Sequence, residues 1–257
     1  MTLPNFLHIG ASKAASSWLW RVCRDHPEIY VPPDHDNVNF FTVHYHRGMD
    51  WYRETYFSDA EEEPAVGEFS NSYMVYLPAL MRASRHLPGV RLTMTLRDPV
   101  QSLYLAWAHT HLKDKPYGFD GRKGRGIPLE KCLHHHGHAW FRLYMEPRFY
   151  ARHLRHILEL FPPERVHVMI YDDLREEPEG FLRGFFNFLD LDSDFRTDLL
   201  HTEINPDSKD ADIHRDLSPD LVAELHRVYE SDIADLEKLL GRSLESWRLD
   251  QGASGCV

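Results

Sequence analysis

Lys13 sits in the loop Ala11-Ser-Lys-Ala-Ala-Ser-Ser17, between a strand-like run, Phe6-Leu-His-Ile-Gly10, and an amphipathic stretch that opens at Trp18. A lysine among small residues at a helix start gathers backbone N–H groups, hydroxyls and an ammonium around one point, which is what a phosphate or sulfate ester needs. Ser12, Lys13, Ala14, Ala15, Ser16 and Ser17 form this cradle. The same loop also fits an ordinary strand-to-helix turn with a solvated lysine, since short loop motifs recur by chance. A second cation, Arg97, ends the alternating run Arg91–Leu96 and precedes Asp98-Pro99, where Asp98 can cap a helix and Pro99 suits its first position. Ligands of open α/β sheets bind at the carboxyl ends of strands, so Arg97 can offer its planar fork to a second phosphate. Alone, such an arginine usually forms a surface ion pair. Two strand-end cations in the first hundred residues point instead to a nucleotide with two separated anionic groups.

These residues need a scaffold, and the chain supplies the pattern of one. Strand-like Phe6–Ile9, Arg91–Leu96 and Val166–Tyr171 alternate with expected helices at Ser16–Asp25, from Val100, near Arg148–Leu160 and at Pro178–Leu189. The alternation predicts an α/β fold with a central parallel sheet flanked by helices. Trp18, Leu19, Val22 and Cys23 share one face of the first helix. The last helix is marked by Ser218 as N-cap, Pro219 behind it, a stripe of Leu221, Val222, Leu225, Val228, Tyr229, Ile233, Leu236 and Leu240, and Gly241 as stop. The 257 residues suit one domain over 1–257, with 112–139 as a basic, His-rich insertion that reads either as a lid over a bound anion or as a surface loop.

Forty acidic against 29 basic residues give a net charge of -11, which argues against a nucleic-acid partner. Three cysteines at irregular spacing indicate neither a disulfide framework nor a paired metal motif, and no stretch approaches the length of a membrane span. The expectation is a cytoplasmic protein with a small-molecule partner and no membrane partner. Its 18 histidines, among them His134-His135-His136-Gly-His138, complete no recognised ligand motif, so no metal is expected. Composition leaves the oligomeric state open.

The chain resembles the sulfotransferases that use 3′-phosphoadenosine 5′-phosphosulfate (PAPS), most of all their bacterial and Golgi-type branch, and does so over nearly its whole length. Gly10-Ala-Ser-Lys13-Ala-Ala-Ser16-Ser17 with His26-Pro27 resembles the 5′-phosphosulfate loop, and Leu96-Arg97-Asp98-Pro99-Val100 the 3′-phosphate motif. Asn39-Phe40-Phe41, Gly48-Met-Asp50-Trp51-Tyr52, Gly67-Glu68 with Ser70 and Tyr73, Tyr171-Asp-Asp173-Leu174 with Pro178 and Phe188-Leu189, and Gly241-Arg242 with Trp247 resemble further landmarks. The resemblance implies a P-loop-like sulfotransferase fold and in-line transfer of a sulfuryl group to a hydroxyl or amine. In that reading Lys13 stabilises the leaving phosphate oxygen, with the amides of Ala14 to Ser17 aimed at the same oxygens. An acceptor would lie among 34–46, 68–73 and the loop after Trp107, with His44, His46, Tyr73, Trp107, Trp140 and Phe141 as walls.

The chain also departs from that pattern. The branch commonly carries a carboxylate where this chain has Asn37, and an amide has no useful basicity near neutral pH. The role of base then falls to Asp36, Glu68, His35 or Asp34, unless the acceptor is already nucleophilic; Asp34-His35-Asp36 also fits a solvated turn after Pro32-Pro33. Leu105 replaces a serine expected at the 3′-phosphate, with Ser102 one turn earlier as a substitute; Phe69 replaces a lysine, and Lys209 is a second candidate cation. Two rivals follow. A P-loop kinase needs its lysine directly before Ser or Thr, unlike Lys13-Ala14-Ala15. A nucleotide-binding protein of the same fold with lost catalysis fits Asn37, Phe69 and Leu105.

Overall fold

A computed structural model describes residues 2–111, 129–130, 139, 141–202 and 217–248. The described residues fall into two compact units, one within 1–97 and 153–206 and the other within 98–152 and 207–257.

The first unit holds a five-stranded, wholly parallel sheet in the order β2-β3-β1-β4-β5, with β1 Phe6–His8, β2 Ile29–Tyr30, β3 Ala65–Phe69, β4 Arg91–Leu96 and β5 Val166–Ile170. Its helices are α1 Ser16–Asp25, α2 Met49–Tyr56, α3 Leu77–His86, the later part of α5 Tyr150–Leu160, α6 Tyr171–Glu176 and α7 Pro178–Phe188, while α4 Pro99–His111 opens the second unit. Alternation along the strands sets two faces. Phe6 and Phe69 face one way and pack with Trp18, Leu19, Val22 and Cys23 of α1 and Phe181, Leu182, Phe185 and Phe186 of α7. Leu7 and Glu68, paired across β1 and β3, face the other way. The carboxyl there meets the hydroxyl of Tyr73 and lies near that of Tyr52, and these two buried rings pack against Phe41 and Phe40 in turn.

The α/β expectation therefore holds, and the three strands predicted from the sequence form within a residue of their expected ends. Val166–Tyr171 stops at Ile170 because Tyr171 opens α6, and the helix expected from Arg148 begins at Tyr150 because Pro147 places Glu146–Arg148 in a 3-10 turn. Strands β2 and β3 escape the pattern. The first is two residues long, and the second, Ala65-Val-Gly-Glu-Phe, carries a glycine and a glutamate that sequence preference disfavours in strands. Each has a tertiary explanation. Gly67 faces the Phe6 ring, and any Cβ there would overlap it, while the Glu68 carboxyl accepts a hydrogen bond from the Tyr73 hydroxyl.

In the second unit α4 begins where Asp98 Oδ1 accepts from the amides of Val100 and Gln101 at 2.7 and 3.0 Å, the expected cap. The terminal helix α8, Pro219–Leu240, also starts and stops as its sequence predicts: Ser218 Oγ accepts from Leu221 N, and Gly241 takes the left-handed conformation at φ 65. Its buried stripe includes Leu221, Val222, Leu225, Tyr229, Ile233 and Leu236, and the Tyr229 hydroxyl donates to the Met145 carbonyl at 3.1 Å. Arg148 is also buried here and donates to Ser102 Oγ and to the carbonyls of Leu143, Tyr144 and Ser102. No helix among the described residues is long and apolar enough to cross a membrane. The insertion expected at 112–139 falls almost wholly outside the described residues.

Because Phe6 is itself buried and packed edge-on against Phe185, its ring has nowhere to move. The substitution Gly67→Ala is expected to destabilise the protein by about 1–3 kcal/mol through overpacking. Thermal unfolding checks this, as a fall of roughly 2–4 °C per kcal/mol.

Candidate active site

Parallel strands that lie side by side deliver their carboxyl ends to one edge, and here β3, β1, β4 and β5 do so together. The segment after β1 is stitched to its neighbours on both sides. Ile9 N donates to Thr93 O, Thr95 N to Gly10 O and Ala11 N to Thr95 O at 2.8–2.9 Å, while Ser70 N and Met74 N donate to His8 O and Ile9 O at 2.8 and 3.0 Å. Held at its base, the loop turns through left-handed conformations at Lys13 (φ 67) and Ala15 (φ 69), on either side of Ala14. Left-handed conformations beside right-handed ones are what an anion nest requires to aim successive amides toward one point. Helix α1 then starts at Ser16 with no side-chain cap at Ala15, while Trp18 N and Leu19 N both donate to the Ala15 carbonyl at 3.0 Å.

Arg97 leaves the end of β4 close by. Its guanidinium lies over the Tyr171 ring at 4.2 Å, and Nη1 is 3.5 Å from the Lys13 carbonyl oxygen, the outer limit of a hydrogen bond. The two strand-end cations singled out in the sequence therefore share one sheet edge within one unit. Tyr171 carries a role that its place in a motif did not reveal, as the platform that orients Arg97.

The hydroxyls of the loop connect it to the segments after β2 and β3. Ser17 Oγ donates to Asp36 Oδ2 at 2.9 Å, and Asn71 Nδ2 donates to Ser16 Oγ at 3.0 Å. Asn71 N in turn donates to Asn37 Oδ1 at 3.2 Å. Asn37, the residue that departs from the expected carboxylate, thus accepts a backbone hydrogen bond and anchors the loop after β3. Asn71 was not legible as a site residue, since its partners come from two other segments.

The candidate bases separate sharply. Asp36 is half-buried beside Ser17, and His35 is exposed with its ring edge-on to Tyr56 at 5.1 Å. Glu68 is 0 % exposed. Its Oε1 accepts from the Tyr73 hydroxyl at 2.7 Å, and that hydroxyl accepts from Phe41 N at 2.9 Å. The Tyr52 hydroxyl is near enough to favour the charged carboxylate, yet neither it nor Glu68 Oε2 completes a hydrogen bond of good geometry. Burial outweighs these donors and pushes the Glu68 pKa up to about 8. His8, on the facing strand, is buried and neutral for the same reason, its pKa pushed down to about 3 while its Nδ1 meets Thr93 Oγ1 at 3.1 Å.

Ser12 and Ala14 belong to the Lys13 loop, Ser12 half-buried and Ala14 buried, and Ser102 is fully buried in the second unit with its hydroxyl at Arg148 Nε, 3.2 Å away. Among the expected acceptor walls Tyr73 is buried with its hydroxyl engaged, while His44 stands 5.6 Å from Trp51 between ring centres. Lys209 and Trp140 lie outside the described residues.

Residues 3–212 match the family described as "Sulfotransferase domain". A crystal structure of a sulfotransferase from Alicyclobacillus acidocaldarius is 26% identical, with a TM-score of 0.79 over 97% of this chain and 100% of that one. Among curated proteins, the "Membrane-associated sulfotransferase kil1" of Dictyostelium discoideum is 23% identical over 74% of this chain and 57% of its own length. The human "Bifunctional heparan sulfate N-deacetylase/N-sulfotransferase 3" is 26% identical over 73% of this chain but only 22% of its own length. The chain thus spans little more than half of one curated relative and under a quarter of the other.

The buried Glu68 has a consequence for stability. Between the carboxylate's ordinary value of 4.5 and its folded value of about 8, the native state holds a proton that the unfolded chain has lost. Stability contributed by the neutral acid is complete below the lower value and is lost as pH rises through the upper one, at up to about 1.4 kcal/mol per pH unit. Glu68→Gln keeps an oxygen for Tyr73 and removes the titration, so denaturant melts from pH 5 to 8 should show this decline in the wild type and a flatter profile in the variant.

Proposed function

The chain belongs to the sulfotransferase domain family, and on that premise we propose that it moves the sulfuryl group of PAPS to a hydroxyl or amine of a small-molecule acceptor. The observation that carries this reading is the meeting of the Lys13 loop and Arg97 at one sheet edge, with 3.5 Å between Arg97 Nη1 and the Lys13 carbonyl. The donor has two anionic ends, and the site offers two kinds of cation suited to them. The nest and the Lys13 ammonium fit the phosphosulfate, and the Arg97 fork, held flat on Tyr171, fits a phosphate by two parallel hydrogen bonds.

In the proposed reaction the donor supplies an activated S–O bond. The acceptor oxygen or nitrogen forms its bond to sulfur as the bond to the 5′-phosphate oxygen breaks, and the displaced electron pair stays on that oxygen. Lys13 and the amides of Ala14 to Ser17 stabilise this growing charge. They are already oriented, so little reorganisation is needed at the moment of reaction. Asp36 takes the acceptor's proton, since its carboxylate is accessible beside the nest; Glu68 is enclosed and holds the Phe40–Phe41 turn through Tyr73 instead. Negative charge on Asp36 next to Ser17 also orients that hydroxyl. His35 stands near enough to this turn to be the second choice. No metal is needed in this scheme, because the cations and amides of the chain neutralise the leaving oxygen.

The proposal treats residues 1–257 as one sulfotransferase domain, with 112–139 as an insertion, in the cytoplasm. An acceptor on a glycan, suggested by the heparan sulfate relatives, competes with the small molecule.

Differential scanning fluorimetry separates the readings. Adenosine 3′,5′-bisphosphate is expected to raise the melting temperature of the wild type, ATP to do little, and Lys13→Ala and Arg97→Ala to lose the response. Equal shifts from ATP would favour a kinase, and bisphosphate binding without transfer to any acceptor a protein that kept the fold and lost the chemistry. In single-turnover sulfuryl transfer Lys13→Ala should lose about 10²–10³-fold or more. Asp36→Asn should fall by about 10²–10⁴-fold, and Glu68→Gln far less; the opposite order would move the base to Glu68.

A further inference from the structure

The acids of this chain are unevenly spread. Residues 37–49 and 69–97 contain none, although the protein has 40 and a net charge of -11. The first stretch forms the turn Phe40–His44 with Tyr45–Arg47, the second contains α3, and the two pack together in the first unit. They are joined by Arg82, whose Nη1 donates to the Phe41 carbonyl at 2.6 Å and whose guanidinium covers the Tyr45 ring at 4.3 Å, and by the Tyr45 hydroxyl, 2.8 Å from His86 Nε2. The two segments therefore present one surface.

That surface is apolar as well as cationic. Of the five large hydrophobic residues exposed among the described residues, four lie here: Val43 at 48%, Tyr76 at 39%, Leu77 at 40% and Met81 at 55%. Leu77, Met81 and Arg85 follow at intervals of four and so line one stripe of α3, with Arg85 exposed at its end. Exposed His46 and Arg47 flank the turn, and Arg47 lies over the half-buried Trp51 ring at 5.5 Å. Asp50 and Glu54 on α2, which follow the turn, lie within ion-pair distance of Arg53.

We propose that this face docks the protein on an anionic lipid surface. Aliphatic side chains standing out between arginines match the boundary between acyl chains and headgroups, where apolar area and cationic charge act together and a tryptophan is at home. An anionic polysaccharide would use the arginines and leave Leu77, Met81 and Val43 in water, so the aliphatic residues decide between the two. The contact is peripheral and needs no membrane-spanning helix, and it revises the sequence-based expectation of no membrane partner. It stands apart from the proposed chemistry, because it rests on surface composition alone.

Vesicle co-sedimentation tests it. The wild type should pellet with vesicles of phosphatidylcholine containing about a third phosphatidylglycerol, fail to pellet with phosphatidylcholine alone, and release as salt shortens the screening length. Arg47→Ala and Arg85→Ala should each weaken partitioning about fivefold, and the pair Leu77→Ser with Met81→Ser should weaken it at least as much. Leu239→Ser, at the fifth exposed apolar residue on α8, should change nothing. All variants should keep the wild-type melting temperature and bisphosphate response. Failure to pellet with anionic vesicles would overturn the proposal, as would retention of heparin without vesicle binding, or a self-association in size-exclusion chromatography that the Leu77→Ser and Met81→Ser pair abolishes.

Discussion

Five backbone hydrogen bonds around residues 8–11 hold the rest of the site in place. They bind the chain leaving β1 to β4 on one side and to the segment after β3 on the other. Because the attachment is made by main-chain groups, it is indifferent to which side chains follow. Loop residues are therefore free to be small, and the left-handed conformations at Lys13 and Ala15 are supported from below. A loop without such an anchor would have to order itself around an anion at binding, at the expense of affinity.

Charge is distributed around this anchor by burial. Two ionisable side chains lie inside the sheet on the strands that feed the site, and desolvation keeps both neutral near physiological pH: His8 on one face, Glu68 on the other. The charged groups, Lys13, Arg97 and Asp36, all retain some exposure at the strand ends. Neutral groups inside the sheet leave the field at its edge to the cations and the oriented amides. Glu68 also shows how one residue type changes meaning with environment. Its hydrogen bond from Tyr73, and the bond that Tyr73 accepts from Phe41, turn a candidate base into a brace for the turn that follows Asn39.

Asn37 and Asn71 show the same dependence on context. As an isolated letter, Asn37 is only a missing carboxylate. In the fold its amide oxygen anchors Asn71, which reaches across to Ser16, so the segments after β1, β2 and β3 become one network. Asn39 contributes too: it takes φ 54, a conformation that asparagine tolerates well, while Ser72 Oγ donates to its Oδ1 at 2.7 Å. These contacts join residues more than thirty positions apart, which no local pattern encodes.

What the sequence determined by itself was whatever depends on neighbours along the chain. Alternating apolar residues marked β4, spacing marked α1 and α8, Asp98 and Ser218 marked caps, and a lysine among small residues marked the loop after β1. Tertiary structure decided the rest. Strand β3 exists because its glycine admits Phe6 and its glutamate finds Tyr73; Arg97 reaches the Lys13 loop because β1 and β4 are adjacent and parallel. Asp36 and Glu68, level as carboxylates in the sequence, were separated by burial and by the partners each meets. The physical reason is common to all three: desolvation and side-chain contact are set by what packs from distant segments, whereas strand alternation, helical spacing and capping are set within a few residues.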